Sequence, residues 1–285
     1  MRDQGNFIMK NTWKIIVAIA LFASFGINPA KAAVAEVISD GNSAASIDPE
    51  SSAGMFSWTV DGQEYLAQQW FWYRLASDTQ EYPVNSLNYL GATLNDTNPF
   101  DDPADDQIVL DYDDGTGAVT VSLDYTLTGG AAGSGAASIA ELIDITNNTT
   151  ETIEITIFQY SDFNLSASDS VVISGGNTAT QTGGGAVISE SVVTPAADDV
   201  EAALLTATLD KLNDSDIDNL DGSTAAGPGD VSWAFQWNVT LNPAGQQGSS
   251  FLISKIKNIQ TIIPEPTSFA LLGLGGLFLA RRRRA

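Results

Sequence analysis

Alternation of apolar and polar residues marks most of the chain between residues 33 and 262 as β-structure. Val119, Val121, Leu123, Tyr125 and Leu127 alternate with Thr120, Ser122, Asp124, Thr126 and Thr128. A period of two puts one face of a strand into a core and leaves the other in water. Val231, Trp233, Phe235, Trp237, Val239 and Leu241 repeat the pattern, with Ser232, Ala234, Gln236, Asn238 and Thr240 between them. Phe56, Trp58 and Val60 make a shorter inward row, closed by the two-residue turn signal Asp61-Gly62 and a return strand predicted over 63–75. Residues 139–146 and 152–159 read as a hairpin around 147–150, with short strands near Val171 and Val187. The final strand is predicted over 251–259, with Lys255 and Lys257 pointing outward as suits an edge. Residues 35–54 read as a leader segment or first edge strand. Only 198–209 suggests a helix, with Asp198 or Asp199 as its N-cap. Many short strands with turn signals between them predict an all-β, antiparallel sandwich-like domain.

The alternation fails at both ends. Lys10 and Lys14 precede an apolar run from Ile15 to Phe25, and Ala30-Lys31-Ala32 places small residues at a cleavage position. That order is the signal-peptide pattern, so 1–32 is set apart from the fold and the mature protein is expected to begin near Ala33. Met9 is an alternative start to Met1. At the other end, Pro264-Glu265-Pro266 precedes an uncharged run from Thr267 to Ala280 and four arginines, Arg281, Arg282, Arg283 and Arg284. The prolines exclude regular structure just before the run, and the arginines favour the cytoplasmic side of a membrane. As a helix the run would span about 21 Å, short of the ~20 residues a comfortable spanning helix wants. A short C-terminal hydrophobic helix acting as a temporary hold is therefore expected, rather than a permanent anchor.

This three-part tail, residues 263–285, resembles the PEP-CTERM sorting signal of bacterial surface and secreted proteins. The resemblance implies a substrate of exosortase, a membrane-embedded cysteine protease-transpeptidase. It also implies transient holding at the inner membrane and release to the cell surface or outside. Signal peptidase and the export translocon are the further partners expected. The family's association with exopolysaccharide-producing bacteria implies a matrix role, with exopolysaccharide as a candidate partner.

Charge and composition narrow the middle. Residues 33–262 hold 33 acidic residues against four basic ones, Arg74, Lys211, Lys255 and Lys257, a net charge of −29. Such a surface repels nucleic acid. Cysteine and histidine are both absent, which removes thiol chemistry and every imidazole base or ligand. With no nucleophile elbow, P-loop or dinucleotide fingerprint either, the expectation is a protein that is not an enzyme, with no catalytic residue and no cofactor. Acidic stretches at 95–114 and at Asp214, Asp216 and Asp218 invite calcium but lack the EF-hand spacing. They read as solvated turns, with no metal site. Trp70-Phe71-Trp72-Tyr73 puts rings on both faces of one strand. Large rings of this kind ordinarily fill a sandwich core; Trp70 and Trp72 share a face with Arg74, the better candidate if a pair is exposed and stacks on a sugar. The reading is thus an exported structural or interaction protein of the envelope or matrix. The alternative is a carbohydrate-binding module, ahead of a calcium-dependent binder or a glycosidase.

Overall fold

A computed structural model describes residues 35–261. The predicted signal segment with Ala30, Ala32 and Ala33 lies outside the described residues, as do Pro264, Glu265, Pro266 and Arg281 to Arg284. In chain order the strands are β1 (Glu36–Asp40), β2 (Ser43–Asp48), β3 (Gly54–Val60), β4 (Gln63–Glu64), β5 (Leu66–Leu75) and β6 (Tyr82–Pro83). Then come β7 (Asn88–Asn95), β8 (Gln107–Asp113), β9 (Val119–Gly129), β10 (Ala136–Asn147), β11 (Ile153–Phe163) and β12 (Asp169–Ser174). The last six are β13 (Thr178–Gly183), β14 (Ala186–Thr194), β15 (Asp199–Leu204), β16 (Ala225–Gly229), β17 (Val231–Leu241) and β18 (Ser250–Thr261). Among the described residues one short α-helix, α1 (Ala207–Leu212), follows β15.

These strands form two nine-stranded sheets. The first runs β1-β2-β3-β5-β11-β17-β15, with β4 on β3 and β6 on β5; the second runs β16-β12-β13-β14-β18-β10-β9-β8-β7. Pairing is antiparallel except where Gly54 and Met55 of β3 meet Gln69 of β5. Inward residues of both sheets merge into one core dominated by Trp58, Trp233, Trp237, Tyr125, Phe163 and Phe235. Phe163 and Trp233 stack with ring centres 5.4 Å apart, an arrangement that adds to simple area burial.

Several local expectations change for identifiable reasons. Phe56 is 39% exposed while Met55 and Trp58 are buried, because the register with β2 slips between Ser46 and Ile47. A β-bulge places two residues opposite one and turns the extra side chain outward. Asp61 and Gly62 do take positive φ and turn the β3–β4 hairpin. Its return is only two residues long, because Glu64 Oε1 accepts the amides of Trp58, Tyr65 and Leu66 at 2.8–3.0 Å and bends the chain away. Residues 147–150 are a crossover and not a hairpin, since β10 and β11 lie in different sheets. Asn147 fastens that corner, donating to Glu151 O at 2.7 Å and Asn242 O at 3.0 Å and accepting from Thr149 N at 2.8 Å. The predicted helix at 198–209 is mostly strand, because β15 completes the ladder of β17. Within the acidic stretch, Ile108, Leu110 and Tyr112 of β8 point inward, so residues 107–113 of the expected loop are a strand.

The largest correction concerns the last strand. β18 is paired on both sides, by β14 and β10, and is no edge. Lys255 and Lys257 point into the core and are fully buried.

Candidate functional site

Two polar constellations stand on opposite faces of the first sheet. On its inner face, between the sheets, lies an ionic cluster made by cross-strand register. Glu141 of β10 sits opposite Lys255, and Glu190 of β14 sits opposite Lys257. Lys255 Nζ is 2.7 Å from both Glu141 Oε2 and Glu190 Oε1. Lys257 Nζ pairs with Glu141 and lies 3.3 Å from Glu190 Oε1. The other Glu190 oxygen accepts from Ser161 Oγ and Trp233 Nε1, each at 2.9 Å, both donors coming from the opposite sheet. Burial alone would keep a carboxyl protonated, but the two lysines outweigh it and hold Glu190 down at about 2. All four charges are sealed from solvent, and two lysines against two glutamates leave no net charge.

On the outer face of the same sheet, Arg74 of β5 anchors a chain of side chains leading to solvent. Its guanidinium pairs with the buried Glu81, reaches the Asp218 carbonyl, and donates to Asn219 Oδ1 at 3.0 Å. Its Cζ lies 5.6 Å from the Phe158 ring centre. Gln236 of β17 donates to Asn219 Oδ1 and to Asn238 Oδ1, both at 3.1 Å, and Asn238 Oδ1 also accepts from Thr156 Oγ1 at 3.1 Å. The middle of this face is covered by α1 and the segment after it, since Leu220 N donates to Gln236 Oε1 at 2.9 Å. That cover explains why Ser232, Ala234 and Gln236 are buried although they point away from the core. Beyond it the face opens into a groove of about 410 Å³ lined by Arg74, Asp78, Glu154, Thr156, Ile217 and Asn238, among others. Here an amide, a hydroxyl, two carboxylates and one guanidinium surround an aliphatic wall, the mixture that takes a polar ligand with some apolar surface.

Trp70 and Trp72 share Arg74's face, but they are fully buried. Trp70 Nε1 donates to Asn85 Oδ1 and Trp72 Nε1 to Asn213 Oδ1, both at 3.2 Å, under the covering segments. Neither ring face is open to a sugar, so the exposure expected of them is corrected. The open polar end of their face, at Thr156 and Asn238, lay beyond sequence reasoning because those residues read only as outward spacers. The acidic stretches hold turns together: Asp106 Oδ1 accepts Thr97 N, Asp114 Oδ1 accepts Thr116 N and Asp214 Oδ1 accepts Asp216 N, at 2.8–3.0 Å, and outside them Asp61 accepts Gly133 N and Gly135 N at 2.6 and 2.8 Å. Those two glycine amides keep Asp61 below the usual carboxylate range. Among the described residues no group of three or more acidic side chains is arranged around a common metal position.

Residues 263–284 match the model of the PEP-CTERM protein-sorting motif. The chain carries an exosortase sorting signal. It is therefore an exported, exosortase-processed protein, in line with the tail's three-part pattern. Among the described residues, no helix is long and apolar enough to cross a membrane. No curated protein sequence matches the chain.

Solved structures match the β-domain instead. A putative aldose 1-epimerase from Escherichia coli K12 is 12% identical with a TM-score of 0.50, covering 80% of this chain and 99% of that one. An aldose epimerase homologue from C. elegans is 8% identical with a TM-score of 0.51, covering 81% of this chain and 100% of that one. A bacterial glucoamylase complexed with acarbose is 8% identical with a TM-score of 0.49, over 82% of this chain but only 32% of that one. The chain thus spans about a third of the glucoamylase. At such identities the likeness is one of fold. It nevertheless overturns the expectation that the protein is not an enzyme, because enzymes are built on this fold and a missing histidine gives no ground for excluding catalysis.

Proposed function

We propose that this exported protein is a carbohydrate-interacting component of the cell surface or extracellular matrix, and that the Arg74–Asn238 groove holds the sugar. The observation that carries the reading is the groove's lining, where Thr156, Asn238, Asp78 and Glu154 offer donors and acceptors around the aliphatic surface of Ile217. Sugar hydroxyls pair with such groups while C–H faces cover aliphatic side chains. The net charge of −29 over residues 33–262 selects against acidic polymers, so the ligand is a neutral glycan. Further support is that two structures sharing the fold at TM-scores of 0.50 and 0.51 are described as a putative aldose 1-epimerase and an aldose epimerase homologue. The sorting motif supports delivery to where exopolysaccharide accumulates.

Calorimetric titration with neutral oligosaccharides, run beside an assay for anomeric or glycosidic turnover, tests the reading. Asn238→Ala and Glu154→Ala change exposed groove residues and leave the core intact. Binding that weakens in both variants supports the proposal, with turnover deciding whether binding leads to chemistry. Equal binding by wild type and both variants, or none by wild type, removes the groove from consideration.

A further inference from the structure

Two nine-stranded sheets leave four edges, and three of them are guarded. β1 carries Glu36 and Asp40 and is touched by Asp105, whose carbonyl accepts Ser39 N at 2.8 Å. β15 carries Asp199 and Glu201, and Ser223 O accepts its Ala202 N at 2.8 Å. β16 reads Ala-Ala-Gly-Pro-Gly, with Pro228 removing a donor. The fourth edge, β7, reads Asn-Tyr-Leu-Gly-Ala-Thr-Leu-Asn. It has eight residues, no proline and no charge, in a chain with 35 acidic residues. Among the described residues β8 is its one strand partner, and no loop hydrogen bond reaches 88–94. It also overhangs the sandwich: Leu94, opposite the inward Ile108, is still 37% exposed, and Leu90 is 55% exposed. Long, uncharged, apolar edges are what soluble proteins normally avoid, because they template a further strand.

We infer that β7 is an assembly edge that pairs antiparallel with β7 of a second copy, on a two-fold axis through Thr93. A bulge between Tyr89 and Gly91 sets the faces, leaving Gly91, Thr93 and Asn95 outward and Ala92 and Leu94 inward. An axis at Thr93 places Thr93 opposite its twin, Ala92 opposite Leu94, and Gly91 opposite Asn95. Every pair then lies on one face, with the apolar residues of both copies covering one another and the threonines paired outside, combinations that favour cross-strand contact. A two-fold interface must be complementary to itself, and this segment is. Two copies of residues 33–262, each of net charge −29, repel wherever acidic groups face each other, so an uncharged edge is where they can approach. The two second sheets would join into one continuous sheet across the axis.

Light scattering on the processed protein from its native host, followed through the micromolar range, tests this. A dimer is expected for wild type and monomers for Thr93→Lys and for Thr93→Glu separately, each confirmed folded by circular dichroism; mixing the two is expected to restore the dimer. The chain has no cysteine, so Thr93→Cys supplies an independent readout: oxidation by copper phenanthroline should cross-link the pair, and Asn88→Cys should not. A wild-type monomer, or a dimer indifferent to the charge at residue 93 and to the cysteine position, overturns the inference.

Discussion

The four basic side chains of the β-domain divide into two kinds of ion pair, and the division separates core from site. Lys255 and Lys257 meet Glu141 and Glu190 with all four groups fully buried. Arg74 and Lys211 meet Glu81 and Glu201 on the outer face, with the cations 12% and 34% exposed and the glutamates nearly sealed. Inside, desolvation of four charges is offset by their mutual attraction, by Ser161 and Trp233, and by the Phe71 ring 5.2 Å from Lys255 Nζ, so the cluster holds as a unit or fails as one. Outside, water screens part of each charge and lets the pairs sit beside an open groove. The same chemistry thus fixes register between the sheets in one place and holds covering segments over a sheet face in the other.

The contrast breaks most sharply at Glu190. Glu190→Leu leaves two buried ammoniums sharing one carboxylate and takes the acceptor from the Ser161 hydroxyl and from Trp233 Nε1. A loss of about 3–5 kcal/mol in urea unfolding is expected; a loss like that of a surface pair would mean the cluster is hydrated. In wild type, Glu190 is held at about 2 against an ordinary value of 4.5, so its contribution is complete above that value and fades as pH falls from there towards 2. The pH dependence of the urea midpoint should show that fade, and the variant should lack it.

Glu81→Ala comes next. It frees Arg74 and the Asp218 amide but leaves the cation a path to water, so about 2–3 kcal/mol is expected. Because Asp218 and Asn219 are held by Arg74, protease nicking within 213–222 should also rise. A stability loss without nicking would separate the ion pair from the cover.

Asp162 sharpens the comparison from the opposite side, as a largely buried carboxylate whose neighbours are Tyr160 and Asp230 and not a lysine. Burial first, and Asp230 second, push it up to about 6. The native state therefore holds this proton more tightly than the unfolded chain, and stability should fall as pH rises from the ordinary 3.8 to about 6. Asp162→Asn should flatten that segment and gain about 1–2 kcal/mol at pH 7; an unchanged profile would mean the carboxylate is well solvated.

The smallest effect belongs to Lys211. Burial disfavours its charge, but the Glu201 carboxylate at 2.7 Å prevails and keeps its pKa above the ordinary value. With a third of the side chain in water, Lys211→Met should cost under about 1 kcal/mol in the same urea titration, shrinking further in salt. A loss as large as that of Glu190→Leu would erase the distinction between the two kinds of pair.

Much of the fold was legible in the residues themselves. The rows Val119–Leu127 and Val231–Leu241 pointed inward as their alternation required, Asp61-Gly62 turned a hairpin, and the absence of helical periodicity kept the domain all-β. The same alternation was available for the final strand, where Phe251, Ile253, Lys255, Lys257 and Ile259 share one parity. The lysines were read as outward because charge is ordinarily exposed, and a strand's own sequence does not show which partners lie across from it. The Trp70–Trp72 face failed for a related reason: its cover comes from residues 82–87 and 207–220, distant in sequence.

What the chain alone determined was local: strand period, turn chemistry, charge, and the sorting motif at 263–284. Those follow from backbone sterics and side-chain solvation at neighbouring positions. Tertiary structure decided which face of each strand is sealed, which acids meet the buried lysines, and where the outer face of the first sheet stays open. Burial and pairing across sheets depend on strands many residues apart, and only the assembled sandwich brings Glu190 to Lys257 or leaves Asn238 at the mouth of a groove.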